Sequence, residues 1–262
     1  MDIELLQKHF GKIGARVKVS AARNIRWRGS NAGIDIGSDD KGEYFDFRVD
    51  PQDDYRVLDL RREQQHLLLM SEPDKAKFLC GFDERHWFIC AVPGDSITNV
   101  RTALEALQPP EVRWAVNRQV KRVKNRFRRR NEAFVRQGEW FFLPAPWLMV
   151  DPALALKNEP LSRGAGSKPH MCQYLYRASG EAVMVCDHYP SGVSLENYAR
   201  ILHHNSNAKG WNWRQMRRGA DAFARGRVWH PDHKTIVLDI WHRVRMNTEH
   251  QAPGRGAVVF LD

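Results

Sequence analysis

Cysteine is scarce in this chain: Cys80, Cys90, Cys172 and Cys186 are the four in 262 residues. That is too few for a secreted scaffold stapled by disulfides, so free thiols are expected. No C-x-x-C pair occurs, which removes the most specific zinc-binding spacing. No uninterrupted apolar run approaches the roughly 18 residues that a membrane span requires. The opening stretch, MDIELLQKHFGKIG, is amphipathic and lacks the charged, apolar and small-residue order of a signal peptide. A cytoplasmic location with no membrane span is therefore the expectation. No polymerase, kinase, methyltransferase, Rossmann or zinc-finger signature appears.

The most informative absence is of acid. Between Glu111 and Glu132 there is no Asp or Glu, while Arg113, Arg118, Lys121, Arg122, Lys124, Arg126, Arg128, Arg129 and Arg130 supply nine positive charges. Average composition would give about three. The whole chain carries a formal +10, compatible with nucleic acid, an anionic membrane surface or an acidic protein as partner.

What is present divides into two runs of strand patterns. At 42% hydrophobic the chain can bury one large core or two ordinary ones. An N-terminal helix is followed by "GIDI", "YFDFRV", "YRVLDL", "HLLLM", "KFLCGF" and "WFICAV", whose alternation marks strands. Ser96 is positioned to cap a helix carrying Ile97, Val100, Leu104 and Leu107, which "QPP" closes. Beyond the basic stretch come "EWFFLP", "MCQYLY", "AVMVCDHY", "FARGRVW", "TIVLDIWHRVRM" and "AVVFL", interrupted by one helix near 194–204. The expected fold class is α+β: two β-rich units, 1–112 and 135–262, joined by a long basic amphipathic helix within 113–134.

The helix expectation rests on Val116, Val120, Val123 and Phe127, which fall on one stripe at helical spacing. Arg118, Arg122 and Arg129 would then lie on the opposite face, flanked by Lys121, Lys124 and Arg128. Like charges four apart cost a few tenths of a kcal/mol per pair, and a bound polyanion would offset that cost. Arg126 and Arg130 complete the candidate phosphate grip. Farther on, Trp211, Trp213 and Trp229 are interleaved with Arg214, Arg217, Arg218, Arg225 and Arg227, a mixture suited to stacking on unpaired bases. Nucleic acid, RNA or DNA, is thus the expected partner. An acidic protein in a larger assembly is the alternative.

Two constellations carry possible chemistry. If "RASGE" turns a hairpin, His170 and Cys172 would face His188 and Cys186, a donor set suited to zinc. Separately, His230, Asp232 and His233 crowd a turn, with His242 farther along the next strand and Lys234, Arg243 and Arg245 nearby. Imidazoles beside a carboxylate can divide general-acid and general-base work in phosphodiester cleavage, which makes a nuclease or phosphodiesterase the enzymatic alternative. The glycine-rich "SRGAGSKPH" (162–170), with Arg163 and Lys168, could cradle a phosphate but lacks P-loop spacing. Glu139, just past the basic run, has no partner assigned by the sequence.

Overall fold

A computed structural model of the chain describes residues 2–21, 33–49, 54–72, 74–162 and 168–251. Helices and sheets are mixed, and the chain divides into two units with a boundary between Asn117 and Arg118; the described residues from Asn247 onward return to the first.

The first unit opens with α1 (Ile3–Lys12), capped by the Asp2 carboxylate, which accepts the Leu5 amide at 2.9 Å. Its buried Leu6 and Phe10 meet a three-stranded sheet of β1 (Val17–Ala21), β2 (Gly33–Asp39) and β3 (Gly42–Val49) in the order β1-β3-β2. Period-two alternation turns Phe45 and Phe47 of β3 inward, where both are fully buried and their rings lie 4.8 and 5.7 Å from that of Phe10. Next comes an antiparallel meander of β4 (Asp54–Arg61), β5 (His66–Glu72), β6 (Lys77–Asp83) and β7 (His86–Val92). In β5, Leu67 and Leu69 pack into the α1 core, while Leu68 turns to a second cluster beneath α2 (Val100–Ala106). Such a strand, buried on both faces, reads as the continuous apolar run "LLLM". Helix α2 is capped by Asn99 in a capping box with Thr102. Ser96 is therefore not its cap, and the helix starts about one turn later than the apolar spacing implied. From Asn247 the chain ties back, with the Thr248 hydroxyl donating to the Ala106 carbonyl and Glu249 accepting the Ala91 amide.

The second unit is built on β8 (Val135–Gln137), β9 (Trp140–Pro144), β10 (Leu156–Leu161), β11 (His170–Ala178), β12 (Glu181–Cys186), β13 (Tyr189–Ser194), α4 (Leu195–His204), β14 (Arg214–Arg218), β15 (Asp221–His230) and β16 (His233–Met246). Six strands form one sheet, in the order β10-β11-β15-β16-β9-β8, and β13-β12-β14 form another. Trp140, Phe142, Leu161, Leu175, Val228 and Val244 make its core. The six-stranded sheet curls strongly: the Gln137 side chain in β8, an edge strand, donates to the carbonyls of Val228 and Lys234 in the central β15 and β16. Asp221 pairs with both Arg243 and Arg245 at the far end of the hairpin.

The long basic helix is not formed. Helix α3 (Pro110–Gln119) stops early, Arg122 adopts extended backbone, and only a short 3-10 turn, Val123–Asn125, follows. Val116 and Val120 are buried, but Val123 is 58% exposed, so the valine stripe ends one turn short. Two causes are visible. Arg118 and Arg122, Arg122 and Arg126, Lys124 and Arg128, and Arg126 and Arg130 would each repel at i and i+4 with no acid to relieve them. Asn131 also offers the backbone another set of bonds, donating to the carbonyls of Asn125 and Arg126 and accepting the amides of Ala133 and Phe134. "AVVFL" (257–261) lies outside the described residues, as does the glycine-rich loop from Arg163 to Ser167.

Candidate functional site

Three strands end together at one rim of the six-stranded sheet. In the pairing of β11 with β15, Met171 faces Trp229 and Cys172 faces Val228, so continuing the register brings His170 opposite His230. In the β15–β16 hairpin His230 faces His233 directly. The imidazoles of His170, His230 and His233 thus line up across neighbouring strands, and one ring nitrogen from each lies within 4.8 Å of the other two. His170 is buried, while His230 and His233 are partly exposed. The rings stand nearly parallel, with His170 4.3 Å from His230 and 5.4 Å from His233 between centroids.

Surrounding groups fix this cluster. The His230 ring accepts the Asp232 amide at Nδ1 (3.1 Å), and its Nε2 faces the Lys168 carbonyl at 3.3 Å. Gly138, in the β8–β9 turn with φ +56°, sits against the group: a Cβ there would lie 2.7 Å from His233 Nε2 and 3.2 Å from His170 Nε2. The site therefore needs glycine at this turn both for its left-handed backbone and for clearance. The fully buried Trp140 ring packs 6.4 Å from that of His170.

This convergence draws one member from each constellation expected in the sequence and dissolves both as they stood. Cys172 is buried between Glu159 of β10 and Val228 of β15. Both edges of β11 are thereby occupied, leaving β12 no place beside it. Cys186 pairs with Tyr189 in the other sheet, so His170, Cys172, Cys186 and His188 form no quartet. Burial also pushes the Cys172 thiol up to about 12, which keeps it protonated at neutral pH. The Asp232 carboxylate accepts from Lys168, both oxygens at 3.0 Å. His242 is nine residues along β16 from His233, about 30 Å at strand rise. It is buried, with Nδ1 2.8 Å from the Ile240 carbonyl, and burial holds its pKa below the ordinary value.

The charged surface is reorganised too. Residues 118–246 hold 23 Lys and Arg against 10 Asp and Glu, a net +13, while the rest of the chain is −3. Lys121, Arg122, Lys124 and Arg128 are exposed and have no carboxylate partner among the described residues. Arg130 is exposed and reaches the Val237 carbonyl at 3.2 Å, and the register partner of Val237 is Arg227. Exposed Arg227 of the hairpin thus adjoins the segment that ends at Arg130, and Arg225 and Lys234 are exposed on the same hairpin. Arg118, Arg126 and Arg129 belong to the same segment but interact with neighbouring groups. The hairpin's share in the basic surface is a tertiary effect that charge counting along the chain does not reveal.

Trp211 and Trp213 stand on the approach to β14 and are partly exposed. His188 stacks on Trp211 at 4.1 Å with 13° between planes, and Tyr189 stacks on Trp213 at 5.7 Å. Trp213 is further held by Nε1 donating to the Ala208 carbonyl at 2.7 Å. Arg217 donates to the Ser179 carbonyl and Arg218 pairs with Glu181, while Arg214 stays exposed. His188 is thus one plate of an aromatic stack. Trp229 is the register partner of Met171 in the six-stranded sheet.

Compared with protein-family models, with curated proteins and with solved structures, the chain matches none of them.

Proposed function

We propose that the protein binds nucleic acid through the phosphate backbone, with the irregular segment 118–130 as the principal grip. The observation that carries this reading is the exposed set Lys121, Arg122, Lys124 and Arg128, four cations with no acid beside them among the described residues. Cations held close together without counter-charge repel one another, and a polyanion that displaces condensed counterions from its own phosphates relieves this with a gain in entropy. The hairpin cations Arg225, Arg227 and Lys234 extend the same surface beyond Arg130. Trp211, with His188 on one face, supplies an aromatic plate that suits unpaired bases. A single-stranded ligand is therefore favoured over a duplex.

The test is equilibrium binding of a labelled single-stranded oligonucleotide across a salt series, for the wild type and for Lys121, Arg122, Lys124 and Arg128 all changed to Gln. Each lost phosphate contact lowers the slope of log affinity against log salt by about 0.7 for a single strand, so the variant slope should be shallower by about 3. Equal slopes would defeat the proposal and point to an acidic protein as the partner. A second reading, phosphodiester cleavage, is favoured by the convergence of His170, His230 and His233 on the same unit. It expects His233→Ala to abolish product formation in these samples while leaving the salt slope unchanged.

A further inference from the structure

We infer that His170, His230 and His233 hold a single divalent transition-metal ion, with zinc as the ion the donor set suits. The inference is independent of nucleic-acid binding, because it stands on the histidine geometry alone. Tetrahedral zinc with imidazole nitrogens at about 2.0–2.1 Å separates its ligand atoms by about 3.4 Å. The three nitrogens already lie within 4.8 Å of one another, so each pair has at most about 1.4 Å to close, by χ1 and χ2 rotations that also unstack the rings. No backbone rearrangement is needed, since the strand register itself delivers the three side chains to one rim.

The rings stand nearly parallel, so each must turn to bring a lone pair onto a common ion, but two nitrogens are already close together. His170 and His233 both carry Nε2 to within 3.2 and 2.7 Å of one point, the Cβ position that Gly138 leaves open. At His230 the Lys168 carbonyl faces Nε2, the outer hydrogen bond that a ligating histidine ordinarily makes from its other nitrogen. Ligation through Nδ1 would then require its bond from the Asp232 amide to be given up. Beside the cluster, Gln137 Oε1 and Trp140 Nε1 are buried atoms with no hydrogen-bond partner among the described residues.

The chemistry of the set selects the ion class. Three neutral imidazoles suit zinc, cobalt, nickel or copper and offer nothing to magnesium or calcium, which take oxygen ligands. Three protein ligands leave a fourth tetrahedral position for water or substrate, the coordination of a catalytic rather than a purely structural zinc. His230 and His233 are partly exposed, so that position has a route to solvent.

The experiment is metal analysis of the full-length chain, purified without chelator and without a histidine tag, followed by zinc titration of the stripped protein against a chromophoric chelator. Cobalt substitution reports geometry by its visible ligand-field bands. About one zinc per chain is expected, with tetrahedral cobalt bands and no response to magnesium. His230→Ala and His233→Ala should each weaken zinc affinity at least about 100-fold, and Gly138→Ala, which crowds two of the rings, about tenfold. The exposed pair His203 and His204 serves as control, and changing both to Ala should leave binding intact. Wild type that takes up well under one equivalent at micromolar free zinc overturns the inference without recourse to any variant. So does stoichiometric binding that survives His233→Ala in a protein of unchanged circular dichroism, or that is lost with His203 and His204.

Discussion

A single imidazole shows how strongly surroundings decide what a residue does. His242 and His233 lie on one strand, yet His242 is packed in the sheet, paired with Ala224 and Pro144, and its pKa is lowered, chiefly by burial. A group whose folded pKa is depressed stabilises the fold above its unfolded value, about 6.5 for His, and loses that contribution as pH falls through it. The melting temperature of the wild type should therefore drop between pH 7.5 and 5.5, and His242→Gln should make that drop smaller. An unchanged pH profile in the variant would show that His242 is freely protonated in the fold. Asp221 obeys the same sign lower on the scale: burial raises its pKa, but the hydrogen bond from Arg243 and the charge of Arg245 outweigh it, and the net direction is down. Its contribution holds above about pH 4 and fades below.

At the scale of elements, the segment from Lys121 to Phe134 shows that charge patterning can override an apolar stripe. Three valines and a phenylalanine at helical spacing were legible in the sequence, and so was the missing acid. What the sequence concealed was that a single side chain, Asn131, would capture two carbonyls and two amides and so hold the segment in an irregular form. Asn131→Ala removes all four bonds from a partly buried site, which should cost about 1–3 kcal/mol in urea unfolding. Trypsin should then cut between Lys121 and Arg130 at much lower protease concentration. A variant as stable and as resistant as the wild type would mean that the segment is held from elsewhere. Strands are more legible than helices in this chain, because alternation such as that of Phe45 and Phe47 against Tyr44 and Asp46 states which face is buried without reference to distant residues.

Over the whole molecule, the segregation of +13 onto residues 118–246 makes a spatial prediction. Hydrogen exchange with and without a single-stranded oligonucleotide should show added protection at 120–130, in the turn of the β15–β16 hairpin and near Trp211, and none in β4 to β7, since only groups coupled to the ligand are stabilised by it. Protection gained mainly in the first unit would assign the ligand to a surface that charge does not predict. By itself the sequence determined the mixed α+β class, most of the strands, the basic run and the crowding of histidines near 230, because period-two alternation and charge density are local properties of the chain. Tertiary structure alone decided that β11 pairs with β10 and β15 instead of β12. That choice broke the cysteine and histidine quartet, carried His170 across some 60 residues of sequence to His230 and His233, and set Arg130 beside Arg227. The physical reason is that a strand fills its two edges with whichever neighbours best bury its side chains, and that competition among distant segments leaves no mark on any one of them.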